Sequence, residues 1–145
     1  KWVGLNSRMD TVQAAILKVK YDHLAAWSEA RRANAAYYDQ HLAGIPQILT
    51  PHIDPRAVSC YNQYTLICED RDGLLKHLKE HDIGCAVYYP LPLHLQECFK
   101  ELEYKEGDMP NSELLAGKVL SIPIYPELTD AQKEYVCQTI KSYYL

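Results

Sequence analysis

The sequence lacks most of the features that would place a chain quickly. No apolar run approaches the ~20 residues that cross a bilayer, and no stretch has the basic, apolar and small-residue layout of a signal peptide. The five cysteines include no C-x-x-C pair and are odd in number. That excludes a disulfide framework and reads as reduced, buried thiols, which predicts a cytoplasmic protein. Basic charge is scarce too: 15 Lys and Arg against 19 Asp and Glu give a net charge of −4. Nucleic acid binding needs a clustered basic face, and the densest basic spots, Lys18/Lys20 and Arg31/Arg32, sit in a helical pattern with acids nearby. There is no glycine-rich phosphate loop and no G-x-S-x-G elbow. Internal repeats and low-complexity tracts are absent as well.

What is there suits one globular unit. Apolar residues make up 48% and charged residues 23% of the 145, an ordinary balance for a packed domain. A chain of this size buries roughly 68–70% of its unfolded surface. The opening Lys1-Trp2-Val3-Gly4 reads like the middle of a longer protein, so a fragment is expected.

Gly4-Leu5-Asn6-Ser7-Arg8 forms a polar, glycine-led turn. Asp10, three residues before Gln13, then has the spacing of a capping box. Val12, Ile16, Val19, His23/Leu24, Trp27, Ala30, Ala33, Tyr37 and Leu42 recur at helical intervals until Gly44 and Pro46 stop them. No proline interrupts Met9 to Ala43, which predicts roughly 50 Å of helix at 1.5 Å per residue. A helix this long suits bracing two domains or two subunits, and Ala33 to Ala36 is the expected bend. Residues 1–44 therefore read as a linking turn and interdomain helix, and 45–145 as a small α+β domain.

Within that domain, Gln47 to Cys60 is expected as loop and Asn62 to Cys68 as a strand. A helix capped by Asp70 or Asp72 runs to Asp82 with Leu74, Leu75 and Leu78 inward. Cys85 to Tyr89 is a second strand, Leu95 to Leu102 a short helix and Glu103 to Pro110 a polar loop. A helix follows from Ser112 to Lys118, then a third strand at Val119 to Ile122. Thr129 caps the last helix, with Gln132 three residues on and Tyr135, Val136, Ile140 and Tyr143 inward.

The most distinctive stretch is Tyr88-Tyr89-Pro90-Leu91-Pro92-Leu93-His94-Leu95-Gln96. Pro90 and Pro92 fix φ and lack donors, and they push Tyr89 and Leu91 into extended conformations. The result is a stiff strap that delivers His94 to a defined place. A lone histidine there can equally be a core residue satisfied by backbone. The Asn6-Ser7-Arg8 turn, standing before a helix start, can bind an anion through amide, guanidinium and helix N-terminus together, or can simply serve as a cap. His77 and His81 match H-x-x-E-H and can share a metal. No third ligand is placed downstream, His77 points sideways to solvent and His81 borders the Leu74/Leu78 face, so a zinc hydrolase is a rival reading and an amphipathic helix the ordinary one. No cysteine has a neighbour that would activate it as a nucleophile.

Four motifs in order resemble one known family. They are Gly4-x-Asn6-x-Arg8-Met9-Asp10-x-x-Gln13-Ala14-Ala15-Ile16-Leu17, Asn62-Gln63-Tyr64-Thr65, Tyr88-Tyr89-Pro90-x-Pro92-Leu93-His94, and Leu120-Ser121-Ile122-Pro123-Ile124-Tyr125-Pro126-Glu127-Leu128-Thr129. Together they are similar to the C-terminal part of the DegT/DnrJ/EryC1/StrS family of pyridoxal-phosphate-dependent aminotransferases, which act on nucleotide-linked keto-sugars. The resemblance spans essentially the whole chain. It implies the small C-terminal domain of a fold type I transferase, working as a homodimer with active sites at the subunit interface. It implies that Asn6 reaches the cofactor phosphate of the partner subunit, that Arg8 lies by the substrate, and that His94, with Tyr89 close by, approaches the neighbouring site. It implies an amino group moved from glutamate to a UDP- or dTDP-linked sugar, in cell-envelope polysaccharide or antibiotic-sugar biosynthesis.

One departure is large. The family's Schiff-base lysine lies tens of residues before the G-x-N turn, with the acid and the aromatic that hold the cofactor ring. No lysine of this chain has that context, and Lys1 comes too late in the order. The chain alone is therefore expected to carry no catalytic residue and to be inactive. The other rival is a stand-alone binding or regulatory module that uses the long helix for a partner.

Overall fold

The computed structural model describes Gly4 and residues 6–145 of the chain. The Lys1–Val3 start and Leu5 of the turn lie outside the described residues. Helix α1 (Thr11–Tyr21) begins at the expected capping box, with Asp10 accepting from the Gln13 N–H at 2.8 Å and Gln13 reaching back to the Asp10 N–H. The helix does not run unbroken to Ala43. It ends at Asp22–His23, and α2 (Leu24–Leu42) starts afresh with no side-chain cap. The alanine-rich bend is thus placed wrongly by sequence: alanine is the best helix former, and Ala33–Ala36 stays helical.

The break separates two different environments. Helix α1 buries no residue, and Val12, Ile16, Leu17 and Val19 are all exposed. Helix α2 buries Asn34, Ala35, Tyr38 and Leu42. That face is one position on from the expected Ala33–Tyr37 stripe, because Tyr37 sits at the rim. Its ring stacks on His41 at 3.8 Å, under the ammonium of Lys133.

The sheet is antiparallel in the order β1-β2-β3, built from Ile48–Leu49, Tyr64–Cys68 and Val119–Ile122. Sequence placed β1 in a loop; it is only two residues long and carries no periodicity. The strand expected at Cys85–Tyr89 is a single bridge instead, with Ala86 and Ser121 exchanging both backbone hydrogen bonds at 3.1 and 2.8 Å. Proline follows too closely for a longer ladder. That bridge covers the open side of β3, all four residues of which are buried.

Strand β2 alternates, with Tyr64, Leu66 and Cys68 turned into the core. There they meet α2, α3 (Arg71–Glu80) and α5 (Asp130–Tyr144) through Tyr38, Leu74, Leu78, Val136 and Ile140. Thr65 and Ser121 pair their hydroxyls at 2.8 Å on the opposite face, where α4 (Pro110–Lys118) packs. Tyr135, expected inward, is half exposed; its hydroxyl donates to the His81 carbonyl at 3.2 Å. A second capping box, Thr129 with Gln132, starts α5 as expected.

The start of α3 is tied to the end of α5. Asp70 accepts from the Gly73 N–H at 3.0 Å and from the Tyr143 hydroxyl at 2.5 Å. A Cβ at position 73 would meet both the Tyr143 oxygen and the Asp70 carboxylate, so any larger residue there would push these two side-chain ends out of their present positions. The Tyr143 hydroxyl first, and the Gly73 N–H second, hold the Asp70 carboxyl below its ordinary pKa. A depressed carboxylate contributes stability that is complete above its unfolded pKa and fades as pH falls through the folded value. Denaturant midpoints measured from neutral pH down to the carboxylate range should therefore fall, and Asp70→Asn should flatten that fall.

The thiols differ by position. All five are free, with Cys60 exposed and Cys68 and Cys137 buried. Burial pushes both buried thiols up to about 11, which leaves little thiolate near neutrality. A maleimide should label Cys60 first, and Cys68 and Cys137 only as fast as the protein unfolds. Labelling of all five at one rate would contradict this packing.

Candidate functional site

The four motifs meet the fold in different ways. Asn6 and Arg8 lie in the non-helical segment ahead of α1, and both are exposed. Neither side chain hydrogen-bonds to the described residues. The amide and the guanidinium are good donors for phosphate or carboxylate oxygens, so their chemistry fits an anionic group supplied from outside this chain.

Asn62 and Gln63, at the entry to β2, are exposed and line a cleft of about 260 Å³. Its other walls are Cys85, Ala86, Tyr88 and the Ser121–Ile124 run. Parts of three motifs therefore share one concavity beside the Ala86–Ser121 bridge. Sequence reasoning quoted Asn62, Gln63 and Tyr88 as motif residues without seeing that they share a cleft.

That cleft has a rigid back wall. Along α2, Arg31, Asn34 and Tyr38 follow one another at helical spacing and reach three consecutive carbonyls. Arg31 Nη1 donates to the Ile124 carbonyl at 2.7 Å, Asn34 Nδ2 to that of Tyr125 at 2.8 Å, and the Tyr38 hydroxyl to that of Pro123 at 2.9 Å. Arg31 also holds the Tyr61 carbonyl at 3.1 Å. Tyr61 has φ 45°, a left-handed backbone that a bulky residue rarely adopts.

The strap leaves the bridge through the exposed Tyr88 and Tyr89, whose shared peptide is cis. Tyr89 is 68% exposed. Pro92 is extended, with φ −57° and ψ 146°, and passes into a short 3-10 turn, Leu93–Leu95. The short helix expected after it is a second 3-10 segment, Glu97–Leu102.

His94 sits in the first of these turns with a side chain only 7% exposed, and its Nε2 lies 2.9 Å from Glu113 Oε1. Tyr104 stands edge-on to the imidazole, ring centroids 6.3 Å apart. The chain's own packing thus engages His94 on one ring nitrogen. Glu113 escaped the sequence reading. It sits in the first turn of α4, and the signal was an acid placed to reach back over the Glu103–Pro110 loop.

His77 and His81 are also placed differently from expectation. His77 is the half-buried one, with Nε2 3.2 Å from both the Thr139 carbonyl and the Ser142 hydroxyl. His81 is exposed at the end of α3, and its Nδ1 lies 2.8 Å from the His77 carbonyl. Helix α5 approaches α3 from the His77 side, which the apolar pattern of α3 alone could not reveal. No group of three His, Cys, Asp or Glu among the described residues could hold a metal ion. No helix among them is long and apolar enough to cross a membrane.

Comparison with known proteins places this arrangement. The solved structure of Streptomyces venezuelae DesV in complex with a ketimine intermediate superposes with a TM-score of 0.91 at 36% identity, over 97% of this chain and 38% of that one. Among curated proteins, the "Pleiotropic regulatory protein" of Geobacillus stearothermophilus is 45% identical over 98% of this chain and 39% of its own length. The dTDP-3-amino-3,4,6-trideoxy-alpha-D-glucose transaminase of Streptomyces venezuelae is 36% identical over 97% of this chain and 37% of its own. The chain thus spans under two fifths of each of these three relatives, and corresponds to their C-terminal part.

The fold is a mixed arrangement of helices and a small sheet, and it matches the C-terminal part of solved sugar aminotransferases. The family model of the DegT/DnrJ/EryC1/StrS aminotransferase family matches residues 1–141, and the chain belongs to that family.

Proposed function

We propose that this chain is the C-terminal part of an aminotransferase that moves an amino group from glutamate to a UDP- or dTDP-linked keto-sugar. One observation carries the reading. Asn6 and Arg8 stand exposed just ahead of a helix whose apolar residues are bare, so this end of the chain is shaped to be completed by another polypeptide surface. Residues 1–44 serve as the linking turn and helix, and 45–145 as the small domain, with α2 clamping the two together through its carbonyl ladder. The protein works as a homodimer in the cytoplasm.

Pyridoxal phosphate, when bound, supplies the electron-withdrawing ring that transamination requires. This chain's residues act around it. The Asn6 carboxamide donates to the phosphate of the cofactor held by the partner subunit, and Arg8 pairs with an anionic group of the substrate. Tyr89 and His94 line the sugar side of the same neighbouring site. In this reading the lysine that takes the cofactor's carbonyl lies outside this chain; Lys133, the most buried of the described lysines, is committed to Asp130 at 2.7 Å.

Two preparations test the reading. The protein made from its whole gene should retain pyridoxal phosphate through dialysis and show its visible absorbance, whereas the 145-residue chain should stay colourless. A colourless whole-gene product with no affinity for the cofactor would contradict it. That outcome would favour the second reading, a binding or regulatory module that uses the bare face of α1. The regulatory name carried by one relative keeps that alternative in view.

A further inference from the structure

Glu113 accepts from three different residues, more than any other carboxylate among the described residues. Its Oε1 accepts from His94 Nε2 at 2.9 Å, from the Gly107 N–H at 3.0 Å and from the Met109 N–H at 3.2 Å. Its Oε2 accepts from the same Gly107 N–H at 2.9 Å. The Gly107 N–H foremost, and the His94 and Met109 bonds after it, hold its carboxyl below the ordinary value, so it is ionised at neutrality. These bonds fold the Glu103–Pro110 loop back over the strap and fix the carboxylate in space. With Tyr104 edge-on beside it, the imidazole is confined.

An ionised carboxylate only accepts, so the ring nitrogen that faces it must carry a proton. A neutral imidazole has one proton to place. With it on Nε2, the Nδ1 lone pair is left, and Nδ1 meets no hydrogen-bond partner among the described residues.

We infer that Glu113 is the positioning residue of His94: it fixes the Nε2–H tautomer of the neutral ring, so that the neutral imidazole offers an outside ligand only the Nδ1 lone pair. In that form the strap histidine recognises a donor, a hydroxyl or an amine, and not a phosphate oxygen. That the donor belongs to a sugar substrate rests on the reading proposed above. The tautomer does not, being a property of this chain alone.

The structural role of Glu113 and its positioning role separate cleanly. The Gly107 and Met109 N–H bonds tie the loop to Glu113, and they place no demand on the ring. Long-range nitrogen–proton correlation spectra of the neutral His94 ring read the tautomer directly in the 145-residue chain. The wild-type ring should be protonated on Nε2. In Glu113→Gln the side-chain amide can either accept or donate, so the ratio of Nε2–H to Nδ1–H should fall roughly tenfold or more, as expected for loss of a charge-assisted bond. A wild-type ring protonated on Nδ1 overturns the inference, and that spectrum alone decides if the variant does not fold. An unchanged ratio in a folded Glu113→Gln protein also overturns it. The spectra need neither coenzyme nor substrate, so failure here leaves the aminotransferase reading standing, and a colourless whole-gene product leaves the tautomer intact.

Discussion

Replacing Asn6 by alanine in the whole-gene protein should weaken pyridoxal phosphate binding roughly ten- to a hundredfold, the loss expected for one hydrogen bond to a charged group. The effect should be this large because the amide has no structural duty in the chain that carries it. It is exposed, ahead of a helix whose capping is done by Asp10 and Gln13. Folding stability should therefore be unchanged, within about 0.5 kcal/mol. Arg8→Ala, by contrast, should act mainly on the Michaelis constant of a substrate. Fluorescence titration of the apoprotein with cofactor measures the first effect, and an Asn6→Ala protein with unaltered affinity would remove the phosphate role.

Tyr38→Ala should cost about 3–5 kcal/mol of stability, the range for deleting a large buried aromatic side chain. Tyr38 is fully buried, its ring centroid is 5.1 Å from that of Tyr64, and its hydroxyl ends the ladder at Pro123. Tyr38→Phe keeps the ring and leaves the Pro123 carbonyl without its donor, for about 1–3 kcal/mol. Because Pro123 and Ile124 wall the cleft beside the strap, the alanine variant should also loosen that wall. Urea unfolding of both variants measures the difference. Equal losses would show that the hydroxyl, and not the ring, carries the contribution, against this packing.

What was legible in the sequence was local. Both capping boxes, at Asp10 and Thr129, could be read because a cap and its partner lie three residues apart. Strands β2 and β3 could be read because alternation or an apolar run marks them. The break at Asp22–His23 could not, since no proline or glycine punctuates it and the apolar intervals run straight through. The bridge at Ala86 and the two-residue β1 depend on strands far along the chain. The same limit hid the Glu113 partner of His94, nineteen residues away across a loop that folds back. Asn6, Arg8 and His94 stood out by local chemistry, a polar turn and a proline strap, while their specific roles, and that of Tyr89, came from the resemblance. Asn6, Arg8 and Tyr89 remain exposed, whereas Glu113 and Tyr104 close around His94.

The central proposal is that this chain supplies groups to a coenzyme site in a neighbouring subunit, and subunit complementation tests it directly. One whole-gene variant would carry Asn6→Ala with Arg8→Ala, and the other would lack the family's cofactor-anchoring lysine. Each should be nearly inactive alone at limiting cofactor. After mixing and subunit exchange, a dimer with one subunit of each kind has one site with an intact lysine facing an intact Asn6 and Arg8, so transaminase activity should return. A mixture no more active than the sum of its two parts would place Asn6 and Arg8 in their own subunit's site and contradict the account.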